Sequence, residues 1–446
     1  MKFQSGKYVN NISSLQIYNL LRFTTFLLVS IALSKFYSPK DIGDFELMMF
    51  MVNIASFFWV TGIIQSFLSL YNSNPVFPGI KTDRRSPEIW NAFLLLCLFS
   101  LLFVLLGLTM QGNLHVFSEA KKVPYFGLVL IYFLISNPSN LIEYIYILRN
   151  KSSLVLLYGF LSHSLILAGT LTPVWLGMGI REAFTGLIIA TIPRVIWLVF
   201  LLVKYAEPVF SWAFMKTHLH YAWPLIISTL LSGSAQYIDG FIVANKFNAK
   251  DFAYFRYGAK EFPLVVMLAN GLHAAMIPEF STAANISEVL KKIRHKSIRL
   301  INALFPLSMV LLLFSNWLFI HLFNPAFRRG SDIFMIYLLL IISRLVFPQT
   351  ILIGLRKTSV MMWVSVVEIF LNIALSLFLI QFYGLQGVPL ATVIIFALEK
   401  IVLISYNYFR LKIPPQSYIP VKLHLMYSAL IIILFVLIDR RIIPTY

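Results

Sequence analysis

KFYSPKDIGDF, residues 35–45, and KFNAKDFAYF, residues 246–255, carry one reading twice: Lys-Phe, a short gap, Lys-Asp, three residues, Phe. The copies lie about 210 residues apart, and each follows a long apolar run. A membrane-spanning helix needs about 20 mostly apolar residues. Twelve segments meet that requirement: 15–36, 45–71, 90–110, 123–148, 154–176, 183–203, 222–244, 255–278, 300–322, 333–355, 360–380 and 388–411. A thirteenth, shorter run covers 423–438. The first copy therefore falls between spans 1 and 2, and the second between spans 7 and 8. An even number of spans separates them, so both copies face the same side of the membrane. That is the signature of a parallel repeat about an axis along the membrane normal.

A second echo points the same way. GMGIREAFTGLIIATIPRVI (177–196) opens span 6, and GLQGVPLATVIIFALEKIV (384–402) opens span 12. Each sets a Gly-rich turn before an apolar helix with one mid-helix base, Arg194 or Lys400. The expected fold is an all-α polytopic membrane protein: two six-helix lobes related by an internal repeat, plus an extra C-terminal helix, 12–14 spans in all. The expected divisions are 1–206, 207–412 and a C-terminal segment 413–446, with KYAEPVFSWAFMKTHLH (204–220) as the linker.

Composition agrees. Hydrophobic residues make up 59% of the 446 and charged residues 12%, with a mean hydropathy of +0.81; a soluble domain is about 25% charged. The single cysteine, Cys97, excludes an intramolecular disulfide and a thiol-based metal cluster. The N-terminal MKFQSGKYVNN leads into span 1 with no small-residue cleavage site, so span 1 reads as retained. The net charge of +18 reflects basic residues in short loops, not a nucleic-acid site. With the N-terminus in the cytoplasm, the inside loops hold 19 Lys and Arg and the outside loops 11, as the positive-inside rule requires. A spanning thirteenth helix would put Arg440 and Arg441 outside, against that rule. No GxxxxGK[ST] loop is present, so the chain itself does not hydrolyse ATP.

The informative residues are ionisable groups inside spans: Arg22, Glu143, Arg194, Asp239, Arg256, Lys260, Glu261, Arg344, Glu368, Glu399 and Lys400. An Arg, Lys or Asp at mid-bilayer costs about 2.5–3.5 kcal/mol, so this set facing lipid would cost roughly 30 kcal/mol. Each must face a partner or water, which implies an aqueous cavity between the lobes. Arg256 and Lys260, four apart on one helical face, with Asp239 at similar depth, are either an ion pair fixing helix register or a site for an anionic substrate or coupling cation. Arg22 and Arg344 lie near the midplane. They either pair with Glu143 or Glu368, or offer their planar forks to a diphosphate. Arg194 follows Pro193 and reads equally as structural or functional. Glu399 and Lys400 are adjacent, about 100° apart on the helix, and are not expected to pair. Glu143 reads as a helix-end carboxylate near Arg149 or as an ion site.

The eight histidines show no metal-ligand spacing, and His218 and His220 sit on an expected interfacial helix. SEVLKKIRHKSIR (287–299) is a basic amphipathic stretch suited to anionic membrane lipids. Breaks or bends are expected at Pro193, Pro263, Pro348 and the 137–139 stretch Asn-Pro-Ser.

KFYSPKDIGDFELMMFMVNIASFFWVTGIIQSF (35–67) resembles the first loop and second helix of Wzx-type polysaccharide flippases. QYIDGFIVANKFNAKDFAYFRYGAKEFPLVVMLANGLHAAMIPEFS (236–281) resembles the start of their second lobe. These belong to the multidrug/oligosaccharidyl-lipid/polysaccharide exporter superfamily, and the resemblance in layout covers nearly the whole chain. It implies a transporter, not an enzyme. Such a protein moves undecaprenyl-diphosphate-linked oligosaccharide from inner to outer leaflet of the bacterial cytoplasmic membrane by alternating access, driven by an H+ or Na+ gradient, with no bound cofactor. It implies polysaccharide polymerase and chain-length machinery as partners. By position, Arg22, Arg256, Lys260 and Arg344, with Arg194 and Lys400, would meet the substrate; Asp239, Glu143, Glu261, Glu368 and Glu399 would couple ions or pair with bases. The chain departs from the family where Asp44 and Phe45 replace the common Gly-Tyr, and in its thirteen apolar runs. Two alternatives stand beside this reading: a small-molecule or drug antiporter of the same superfamily, and a membrane polysaccharide polymerase. The second would call for a long external loop that the chain lacks.

Overall fold

The computed structural model describes residues 11–71, 85–111, 115–116, 121–260, 263–277, 279–282, 285–355 and 357–443. The chain divides into two compact units, Met1–Gly233 and Ser234–Tyr446. Nine helices are long and apolar enough to cross a membrane, ten if one bent pair counts as a span, among the described residues. The protein is an all-α multi-pass membrane protein, as expected.

Unit 1 holds α1 (Asn11–Phe36), α2 (Pro39–Leu70), α3 (Pro87–Met110), a two-residue ladder of β1 (His115–Val116) with β2 (Lys121–Lys122), α4 (Phe126–Ser139), α5 (Ile142–Leu148), α6 (Ser152–Trp175), α7 (Ile180–Tyr205) and the first part of α8 (Trp212–Lys246). The opening motif explains the first corner. Ser38, in extended conformation, caps α2 by accepting from the Asp41 amide, and Pro39 stands at the first helical position, where its missing N–H is harmless. The second copy builds the same corner: α8 ends at Lys246, and Asn248 caps α9 by accepting from the Asp251 amide. The recurring Asp is thus the third residue of each cap, placed where a carboxylate favours a helix N-terminus.

Packing in unit 1 rests on small residues and aromatic rings. A Cβ on Gly186 of α7 would land on the Gly169 carbonyl oxygen of α6, so the two glycines set how closely these helices cross. Trp59 is fully buried among Phe99, Phe103 and Phe133. The expected linker is pinned within unit 1. The Ser86 amide donates to Tyr205 O, Glu207 N to Ser86 O, and Asn91 Nδ2 to Val209 O at 2.8 Å. His218 is buried, with Nε2 2.9 Å from Ile63 O, so one face of this part of α8 packs on α2 while Trp212, Tyr221 and Trp223 stay exposed. These contacts tie the chain through the first part of α8 to unit 1, which ends at Gly233.

Unit 2 continues with α9 (Ala249–Gly258), α10 (Pro263–Met276), α11 (Glu279–Thr282), α12 (Ile286–Leu322), α13 (Arg328–Leu338), α14 (Ile341–Arg344), α15 (Pro348–Gly354), α16 (Thr358–Tyr383), α17 (Gly387–Phe409) and α18 (Val421–Asp439). Tyr257 stacks on Phe327 at 4.7 Å and meets Phe323, closing an aromatic core between α9 and the start of α13. The basic stretch becomes the first four turns of α12, with Val289, Leu290 and Ile293 buried and Lys291, Lys292 and Arg294 exposed.

Among the described residues, helices are interrupted near prolines at two places and one helix pair is sharply bent. α4 gives way to α5 just after Pro138, and α9 to α10 before Pro263. The helix ending at Arg344 and α15, which Pro348 opens, meet at 48°. Pro193 does not behave as expected: α7 runs through it unbroken. One proline removes a single ladder bond, which neighbouring groups in a packed membrane helix compensate.

Candidate functional site

Among the described residues, eight of the eleven charges foreseen inside the spans gather into three clusters, one in unit 1 and two in unit 2.

In unit 1, Arg194 of α7 is 7% exposed and donates through Nε to the Tyr158 hydroxyl of α6 at 2.9 Å. Tyr158 stacks on Tyr18 of α1 (centroids 6.0 Å apart), and Tyr18 meets the His163 ring at 5.3 Å. Gly159 makes room for this, since a Cβ there would lie 2.8 Å from the Tyr18 ring. Glu143, in the first turn of α5, is buried and within electrostatic reach of Arg194 and, more weakly, of Arg22. The break after Pro138 delivers it there. Arg22 is exposed on α1. The structure therefore brings Arg194, Glu143 and Arg22 into one electrostatic neighbourhood. The tyrosines and His163 were missed, because aromatic residues in apolar spans carry no distinguishing signal of their own.

In unit 2, Asp239 is 4% exposed near the end of α8. Its Oδ2 accepts from the Tyr337 hydroxyl of α13 at 2.5 Å and the Thr392 hydroxyl of α17 at 2.5 Å. Asn372 Nδ2 of α16 donates to Thr392 at 3.1 Å, and Ser376 Oγ donates to Asn372 Oδ1 at 3.2 Å. Four helices thus converge on one carboxylate through oxygen and amide groups. Asn372 and Ser376 share a helix face by their i, i+4 spacing; that pattern was the available signal.

The second cluster of unit 2 unites four foreseen residues. Lys400 Nζ lies 2.8 Å from Glu399 and 3.3 Å from Gln349 Oε1. Adjacent positions on a helix were not expected to pair. They do because both long side chains bend into the same nearly buried space (Glu399 11% and Lys400 12% exposed), where pairing offsets desolvation. Glu368 of α16 is within electrostatic reach of Glu399, Lys400 and Arg344. Arg344 ends α14, its guanidinium 5.1 Å from the Phe396 ring. His273 Nδ1 lies 2.7 Å from Thr350 Oγ1, with Lys400 in electrostatic reach. Glu368 and Glu399 also line a groove of about 210 Å³ between α16 and α17, walled by Trp363, Val367, Leu371 and Leu398.

The expected site on span 8 is altered. Arg256 is half-buried in the last turn of α9, but Lys260 lies beyond that helix's end, its Nζ 4.9 Å from the Tyr257 ring. Arg256 and Lys260 therefore do not lie on one helical face, because the helix stops at Gly258. Glu261 lies outside the described residues.

A family model described as "Polysaccharide biosynthesis protein" matches residues 32–327. No curated protein sequence matches the chain. Among solved structures, the fold is similar to lipid II flippase MurJ in an inward closed conformation: 17% identity, TM-score 0.68, covering 96% of this chain and 94% of that one. It is also similar to an outward-facing multidrug resistance MATE family transporter of the MOP superfamily, at 14% identity and TM-score 0.55, covering 90% and 94% of the two chains. At these identities the likeness is one of fold. The family match spans well over half of the sequence, and the two capped corners at Ser38 and Asn248 both fall inside it. The chain belongs to the family of polysaccharide biosynthesis proteins, and it is a multi-pass membrane protein with the fold shared by those transporters.

Proposed function

We propose that this protein flips an undecaprenyl-diphosphate-linked oligosaccharide, an O-antigen or other surface polysaccharide repeat unit, from the inner to the outer leaflet of a bacterial cytoplasmic membrane. Alternating access is the mechanism, the N-terminus is cytoplasmic, and the chain performs no covalent step. The observation that carries this reading is the set of arginines and lysines held inside the spans of a polysaccharide biosynthesis family member, above all Arg344 and Lys400. Bases inside apolar spans are costly to keep, Lys400 leans on Glu399, and a guanidinium such as that of Arg344 is shaped for a diphosphate. Arg194 and Arg22 supply the same chemistry in unit 1. On the outer face, polymerase and chain-length machinery would consume the product.

Asp239 is the carboxylate we assign to coupling with an H+ or Na+ gradient. Its shell of hydroxyls and an amide suits a proton or a hard cation, which takes oxygen ligands. A second reading, antiport of a small lipophilic cation, is favoured by the apolar groove that carries Glu368 and Glu399.

The test is leaflet transfer of a polyprenyl-diphosphate oligosaccharide in proteoliposomes, with Arg344→Gln and Lys400→Gln beside wild type at equal reconstitution. Wild type should move the lipid and both variants should lose at least tenfold in rate. A wild type that leaves the lipid in place but extrudes a lipophilic cation against a gradient sinks the flippase reading and supports antiport.

A further inference from the structure

The expected plan of two six-helix lobes leaves α18 without a task, yet this helix is long and apolar enough to cross a membrane. It meets unit 2 along one narrow stripe. His424, Ser428, Ile431 and Ile438 are buried at helical spacing, whereas Leu425, Met426, Ile432 and Ile433 are exposed. His424, 8% exposed, heads the stripe, its ring edge-on to Phe305 of α12 with centroids 5.9 Å apart. An apolar residue would serve for packing alone; a buried imidazole needs partners for its nitrogens. Its Nε2 lies 2.9 Å from Ile342 O of α14. A carbonyl only accepts, so this nitrogen carries the proton. Ser428 Oγ, one turn on, stands 3.5 Å from Nδ1.

The carbonyl that His424 reaches is one that the bend leaves without a ladder partner. α14 ends at Arg344, residues 346 and 347 are not helical, and Pro348 opens α15 at 48° to the helix before it. In a continuous helix Val346 N would donate to Ile342 O, and residue 348 to Arg344 O. Val346 has left the helix, and a proline has no N–H to give. Among the described residues no backbone amide outside the regular helix ladder donates to Ile342 O. In a membrane bundle such a carbonyl takes its donor from a neighbouring helix, and the imidazole N–H is that donor. The far side of the bend is held separately. Asn407 Nδ2 of α17 donates to Pro348 O at 3.2 Å, and Thr350 Oγ1 lies 2.7 Å from His273 Nδ1 of α10.

We propose that α18 is a brace and His424 a positioning residue. Its bond to Ile342 O fixes the end of α14, and with it the direction in which Arg344, two residues on, presents its guanidinium beside Phe396. His424 itself touches no substrate. The effect on transport rests on the flippase reading, in which Arg344 meets a diphosphate; the bracing of the bend does not.

Two measurements on the full-length protein in lipid nanodiscs test the proposal. The first is hydrogen–deuterium exchange without ligand at the amides of Ser343, Arg344 and Leu345, which bond to Leu340 O and Ile341 O. Exchange there should quicken about tenfold in His424→Leu. It should return to the wild-type rate in His424→Gln, whose side-chain N–H can stand where Nε2 does. The second is binding of farnesyl diphosphate, a soluble isoprenoid diphosphate. His424→Leu should weaken it about tenfold, His424→Gln should restore it, and His424→Leu should change nothing further in an Arg344→Gln background. If His424→Leu does not fold, His424→Asn, whose amide is too short to reach Ile342 O, replaces it in both measurements. Exchange that is unchanged in the Leu variant, or that Gln does not restore, overturns the brace. A binding loss of equal size with and without Arg344 overturns the positioning role and leaves His424 a packing residue. A wild type that binds no diphosphate, with exchange at the bend following the bond, counts against the flippase reading and leaves the brace standing.

Discussion

Removing the Thr392 hydroxyl should damage unit 2 more than removing the Tyr337 hydroxyl, though both touch the same Asp239 oxygen. Thr392→Val keeps nearly the same shape and deletes one oxygen. It removes a hydrogen bond to a carboxylate, worth about 1.5–3 kcal/mol with Asp239 ionised. It also strands Asn372 Nδ2, which donates to that oxygen at 3.1 Å, at a further cost of about 1–3 kcal/mol. Tyr337→Phe removes its bond to Asp239, and no side-chain amide donates to its hydroxyl among the hydrogen bonds of that network described above. The expected losses are about 4 and about 2 kcal/mol. For a unit of this size, about 2–4 °C per kcal/mol gives shifts of roughly 8–16 °C and 4–8 °C. The assay is thermal unfolding of both variants and of the double variant in lipid nanodiscs. The shared carboxylate predicts that the double variant departs from additivity by about 0.5 kcal/mol or more. Equal shifts for the two single variants, or strict additivity in the double, would refute the network as drawn.

Two further outcomes can be checked at lower effort. Gly186→Ala should destabilise unit 1 by about 1–3 kcal/mol, because its Cβ meets the backbone oxygen of Gly169, which cannot rotate away; Gly127→Ala, whose new carbon meets no neighbouring element among the described residues, should leave the same melt unchanged or raise it by up to about 1 kcal/mol, since Ala favours a helix over Gly. Ser38→Ala and Asn248→Ala should each cost about 0.5–2 kcal/mol and raise amide exchange in the first turns of α2 and α9, while the swaps Ser38→Asn and Asn248→Ser should restore protection.

The helices were legible because an apolar run of about 20 residues has few other fates, and the charges of the site were legible because each is costly in such a run. Arg344, Glu368, Glu399 and Lys400 were found this way and share one cluster. Partners were harder to foresee. Tyr158, Tyr337 and Thr392 are ordinary residues in a membrane helix, and only the fold shows that they bond to Arg194 and Asp239. Helix ends were harder still. Pro193 sits inside a continuous helix, whereas α9 stops at Gly258 before any proline. A Cβ at Gly258 would meet Gly330 O and Ile333, so the close approach of α13 fixes that position. Local propensity carries no trace of such a tertiary contact.

The pinned stretch from Tyr205 to Ser211 bears on how the gene could be split. A break placed after residue 206, where hydropathy suggests a seam, would take Val209 and Ser211 away from Asn91, and His218 away from Ile63. The N-terminal fragment would then expose backbone groups and an apolar face of α2 that α8 covers in the intact chain. Co-expressed halves should reassemble best when the N-terminal piece keeps the chain through Gly233, and a nick in the stretch that looks most like a tether should be the more damaging one.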